Sequence, residues 1–92
     1  MNKFVYVLSN ESMPGIYKIG KTNRNDPFSR MAEYTPGYKM LFIKYSINPA
    51  ATENKFLDIL RRDDQIEKYN YGKEYFISAT PEYIFNLLVG VN

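Results

Sequence analysis

Ninety-two residues, 45% of them hydrophobic and 16% aromatic, suit one small folded domain with a single core and exclude a disordered tail. The chain has no cysteine and no histidine, which excludes a disulfide framework, thiolate or imidazole zinc sites, and any catalytic triad built on histidine. The net charge of +2 divides unevenly: residues 1–45 carry seven basic and three acidic side chains (+4), residues 46–92 five basic and seven acidic (−2).

Phe4-Val5-Tyr6-Val7-Leu8 is β-branched and aromatic, and predicts a strand. Ser9 to Gly15 is turn chemistry ending in Pro14-Gly15, and Ile16 to Lys21 predicts a second strand, giving an antiparallel hairpin. The same punctuation then occurs three times, as Asp26-Pro27, Asn48-Pro49 and Thr80-Pro81. Each sets a capping oxygen before a proline at the first helical position, where the missing N–H costs nothing.

The first of these signals opens a helix near 27–35, stopped by Pro36-Gly37. The second opens one near 49–62 with Phe56, Leu57 and Leu60 on its apolar stripe, and the third one near 81–90 carrying Tyr83, Ile84, Leu87 and Leu88. A strand from Met40 to Ile47 lies between the first two helices. Glu74 to Ile77 is short and apolar enough for a further edge strand, and the charged, tyrosine-bearing segment Asp63 to Lys73 reads as loop. The order β-β-α-β-α-(β)-α over residues 1–92 predicts one α+β domain, a small three-stranded antiparallel sheet flanked by helices.

No apolar run approaches the roughly 20 residues of a membrane span, and the N-terminal MNKFVYVLSNES lacks a secretory signal. The expectation is an intracellular, cytoplasmic protein with no membrane partner. The basic first half suits a polyanion such as DNA, although ordinary surface lysines give the same count. Without histidine or cysteine, a metal here is a hard, oxygen-ligated one such as Mg²⁺ or Mn²⁺. Proton transfer falls to tyrosine, lysine, a carboxylate or water.

The run GIYKIGKT, residues 15–22, spells GIY and nearly YIG. The two tripeptides that name the GIY-YIG nuclease superfamily sit on separate strands there, so the literal GIY at 15–17 is a decoy. The chain resembles that superfamily in another register: Val5-Tyr6 as the first motif, Lys18-Ile19-Gly20 followed by Lys21-Thr22 as the second. The resemblance is closest to a short phage-type branch with VYVL, KIGKT, an arginine on the first helix, an alanine–glutamate pair on the second (Ala51-Thr52-Glu53) and a late G-x-E-aromatic-Phe strand (Gly72 to Phe76). It covers nearly the whole chain. One departure is that Lys18 stands where the second motif usually has tyrosine. Tyr17, one residue away, points to the opposite face of the strand.

The resemblance implies a metal-dependent endonuclease acting on DNA in a phage or bacterial host cell. It assigns water positioning to Tyr6 and Lys18, a phosphate clamp to Arg30, and a hydrogen bond beside it to Tyr34, four residues on and on the same helical face. It assigns one Mg²⁺ or Mn²⁺ to Glu53, with Glu74 as the alternative ligand, and backbone-phosphate contacts to Lys21, Thr22 and Arg24. Each residue also has a plainer reading: Tyr6 a core aromatic, Arg30 a solvated cation, Glu53 a favourable charge near a helix N-terminus, the lysines protection for a strand edge. Tyr69, Asn70 and Tyr71 suit base stacking or a polar loop. Members of the superfamily usually attach this module to a DNA-recognition domain, so specificity here is expected to be weak unless a protein partner supplies it. The alternatives are a catalytically degenerate nucleic-acid-binding module and a small phage-encoded inhibitor of a host protein, for which a tyrosine-rich surface is suited.

Overall fold

The computed structural model describes residues 4–23, 26, 37–69, 72 and 74–91. The helix expected near 27–35, with Arg24, Arg30, Tyr34, Asn70 and Tyr71, lies outside the described residues. Strand β1 (Phe4–Asn10) and strand β2 (Ile16–Thr22) form the expected antiparallel hairpin. Its connection is closed by the Met13 carbonyl accepting from the Ile16 N–H at 3.2 Å. Gly15 supplies the left-handed φ of +81° that the second central position of such a turn requires.

Strand β3 (Tyr38–Tyr45) pairs antiparallel with β1 on its other side. It starts and stops two residues before the expected Met40 to Ile47. Its end is set by Ser46, whose Oγ receives the Asn48 N–H at 3.1 Å and meets Thr52 Oγ1 at 2.6 Å, turning the chain out of the sheet and into a helix.

The sheet has five strands, in the order β3-β1-β2-β5-β4, and not three. Strand β4 (Glu67–Lys68) falls within the segment expected to be loop, and strand β5 (Tyr75–Ile77) is interior, not an edge. The reason is physical. Two exposed, charged residues carry no apolar alternation, so only the partner strand they meet reveals β4.

Helix α1 (Pro49–Arg62) and helix α2 (Pro81–Leu88) start as the punctuation predicts. Asn48 Oδ1 accepts from the Ala51 N–H at 3.2 Å, and Thr80 Oγ1 from the Tyr83 N–H at 3.3 Å. At the far end of α1, the Tyr83 hydroxyl donates to the Asp63 carboxylate at 2.8 and 3.0 Å, tying α2 to the C-terminus of α1.

Both helices pack on one face of the sheet. Val5, Val7, Tyr17 and Ile19 meet Phe56, Leu57, Leu60, Ile84 and Leu88 there, with Phe76 and Ile66 completing the core. Tyr6 and Leu8 point to the other face and are equally buried. The nearly unbroken apolar run of β1 is therefore the signature of a strand covered on both sides. The structure shows an α+β domain in which the β1–β2 hairpin is central. No helix among the described residues is long and apolar enough to cross a membrane.

Burial raises the Tyr17 phenol above its ordinary value of 10.0, and the Glu82 carboxylate adds to the effect. The folded chain holds this proton after the unfolded chain has released it, so stability is fully present below pH 10 and falls as pH rises further. Tyr17→Phe is expected to flatten part of that alkaline decline while leaving the neutral range alone. Urea melts from about pH 7 to about pH 11 check it; superimposable pH profiles for the two proteins would refute the assignment.

Candidate nucleic-acid and metal site

Cross-strand partners share a face of the sheet, and successive residues alternate. Lys21 pairs with Val5, and Val5 with Lys44, so the three form one row on the helix-covered face. Glu53 descends onto this row from the second turn of α1. It is 7% exposed, on the buried stripe of the helix with Thr52, Phe56 and Leu57. Lys21 Nζ donates to Glu53 Oε1 at 3.0 Å, its own side chain remaining about half exposed. A carboxylate this buried needs a compensating cation, and this lysine supplies it from the wet side.

The opposite face carries a second group. Tyr6 is fully buried and lies opposite Gly20 on β2. A Cβ on Gly20 would sit 2.6 Å from Cζ and 2.8 Å from Oη of Tyr6, so only glycine lets the phenol cross the strand. Lys18, on the same face, donates to Glu74 Oε2 at 3.2 Å and stands 5.8 Å from the centre of the Tyr75 ring. The Tyr75 hydroxyl in turn meets that of Tyr38 at 3.4 Å. Thr22 is buried at the end of β2, and Tyr17 packs into the core beside Phe76, on the face opposite Lys18.

The structure thus brings together Lys21 with Glu53, and Lys18 with Glu74, and sets the two pairs on opposite faces of the sheet. Tyr6 belongs with Lys18. On the β5 side of β2 the pairing ends at Lys18–Tyr75, with the Ile19 N–H donating to the Glu74 carbonyl at 2.9 Å; Gly20–Thr22 have β1 on one flank and no strand among the described residues on the other. Arg24, Arg30 and Tyr34 lie outside the described residues.

No three acidic side chains gather among the described residues. A Mg²⁺- or Mn²⁺-type ion is commonly held by one or two carboxylates, with water and substrate phosphate completing the shell. Glu53 fits that mode: a hard oxygen donor, buried, with one oxygen lent to a lysine that has room to withdraw. Glu74 is about half exposed, and its partner Lys18 is the more buried member of the pair.

Lys44 is a residue that sequence reasoning did not single out. Only the β1–β3 register places it in line with Lys21, and no spacing along the chain carries that information.

Residues 3–86 match the T5orf172 domain family. The chain belongs to that family. It is a phage-associated family related to nuclease-type modules of the GIY-YIG and HNH-like kinds, which points to a nuclease-like or DNA-binding module. No curated protein and no solved structure matches the chain. The T5orf172 match takes in the hairpin, both lysine–carboxylate pairs and most of α2, so the site is built from residues of the family domain itself.

Gly20→Ala tests the close approach of Tyr6 to β2. Overpacking of this kind costs about 1–3 kcal/mol. In a Tyr6→Leu background, where nothing reaches across the strand, the cost of Gly20→Ala should shrink by at least half. Chemical denaturation of the four proteins measures the coupling, and strict additivity would contradict the geometry.

Proposed function

We propose that this T5orf172 domain is a metal-dependent endonuclease of the GIY-YIG type, hydrolysing DNA phosphodiester bonds with low intrinsic sequence specificity. The observation that carries the reading is the Lys21–Glu53 pair, a buried carboxylate bridged at 3.0 Å to a lysine of the second motif. The family match supports it. Glu53 would hold one Mg²⁺ or Mn²⁺. A divalent ion held there supplies Lewis-acid polarisation of a phosphoryl oxygen.

The chain's own groups do the rest. Lys21, half exposed beside Glu53, would neutralise a backbone phosphate, with Thr22 and Arg24 as the neighbouring contacts that the resemblance implies. The resemblance assigns the scissile phosphate to the planar fork of Arg30, with Tyr34 hydrogen-bonding beside it. Tyr6 and Lys18, together on the other face, would position the attacking water. Their route to the phosphate runs around the Gly20–Thr22 edge of β2.

A second reading has an observation in its favour. Tyr6 and Lys18 share the face opposite Glu53, an arrangement suited to a domain that grips nucleic acid without cutting it.

Plasmid nicking with Mg²⁺ or Mn²⁺ separates the two. The nuclease reading expects metal-dependent nicking that falls about 100-fold or more in Glu53→Gln and in Arg30→Ala, in the range seen when one transition-state contact is removed. Glu74→Gln should nick as wild type does. Well-folded wild type that binds DNA in EDTA and never nicks with either metal would replace the nuclease with the binding module.

A further inference from the structure

A groove of about 370 Å³ opens where β3 ends and α1 begins, lined by Lys44, Tyr45, Ile47, Asn48, Thr52 and Lys55 among others. Its chemistry is mixed in a specific way. Two lysines flank it, and the positive end of a 14-residue helix faces it. At its rim Tyr45 is 54% and Ile47 84% exposed, the two most exposed large apolar side chains among the described residues. Tyr45 follows Lys44 on the edge strand β3 and turns to the opposite face, where Phe4 meets its ring edge-on at 5.8 Å, so the groove that both residues line wraps the β3 edge.

The groove is continuous with the site. Lys44 is one strand removed from Lys21 on either side of Val5, a separation of about 10 Å across two strand spacings. Thr52, on the groove wall, is the residue before Glu53. Cations therefore run in a strip from Lys55 and Lys44 to Lys21 beside the buried carboxylate.

We propose that this groove seats an unpaired nucleic-acid strand, its phosphates on Lys44 and Lys55 and a base against Tyr45. The occupant follows from the exposed apolar faces. A duplex offers phosphates but keeps its base faces stacked inside, whereas an unpaired strand brings both. The inference rests on the nucleic-acid reading above and gives it a substrate form: DNA with single-stranded character beside the Glu53 site.

Fluorescence anisotropy in EDTA tests it, using a labelled single strand of about 20 nucleotides and the same sequence as a duplex, titrated from about 50 to about 200 mM salt. Wild type should prefer the single strand. Lys44→Ala with Lys55→Ala should lower the slope of log K against log salt by about 1.4, from two single-strand phosphates at about 0.7 each. Tyr45→Ala should weaken single-strand binding about tenfold at every salt concentration and leave the slope unchanged.

Preference for the duplex, an unchanged slope in the double lysine variant, or no binding by wild type would each overturn the proposal. The nicking assay keeps the two readings apart. A nicking-active wild type whose slope survives loss of both lysines removes the groove and leaves the nuclease. A wild type that never nicks but loses slope in that variant removes the nuclease and leaves the groove.

Discussion

The constraint on which this domain depends is that β1 is buried on both of its faces. A strand in that position has no solvent side on which to place a misfit, so each residue must be matched by something on its own face. Val5 and Val7 are matched by the apolar stripe of α1. Tyr6 is matched by the absence of a side chain at Gly20, which lets a large ring lie flat across the neighbouring strand. The glycine of the second motif and the tyrosine of the first are thus two halves of one packing solution, whatever chemistry is added to them.

Electrostatics follows from the same burial. Glu53 sits among apolar neighbours, where an isolated carboxylate would be strongly disfavoured, and a single half-exposed lysine offsets it. Such a pair is weak as a source of stability because the lysine stays solvated. Lys18 and Glu74 repeat the pairing on the other face with the burial reversed, the lysine inside and the carboxylate out.

Much of this was legible in the sequence because the signals were local. Proline after a capping residue fixed the starts of α1 and α2, and Pro14-Gly15 fixed the hairpin. The place of Glu53 on or beside the stripe of Phe56, Leu57 and Leu60 was readable from its spacing, and the structure buries it there. What was not legible was pairing. Glu67-Lys68 gives no apolar alternation, so β4 stayed hidden and β5 was expected at an edge. The division of Tyr6 and Lys18 from Lys21 and Glu53 needed to be traced through strand register, since residues close in sequence point to opposite faces. Lys44 joined Lys21 only through the strand between them.

The contact of Lys18 with Glu74 spans 56 residues of chain, and the β2–β5 pairing beside it is similarly long-range, whereas β1 pairs with β2, the next strand in sequence, and with β3, the one after. Loop closure is unfavourable until the contacts it permits are made, so long-range pairings lag behind local ones. The order of assembly implied is a hairpin first, then β3 and α1 against it, with β5 sealing part of the β2 flank last. A chain caught before that final step holds both motifs in their mature register but leaves β2 open along its length, a raw strand edge that another copy can pair with. The short, charged β4 at the far side of β5 is the finished sheet's protection against that fate: two residues, one of each sign, offer little for a neighbouring strand to extend.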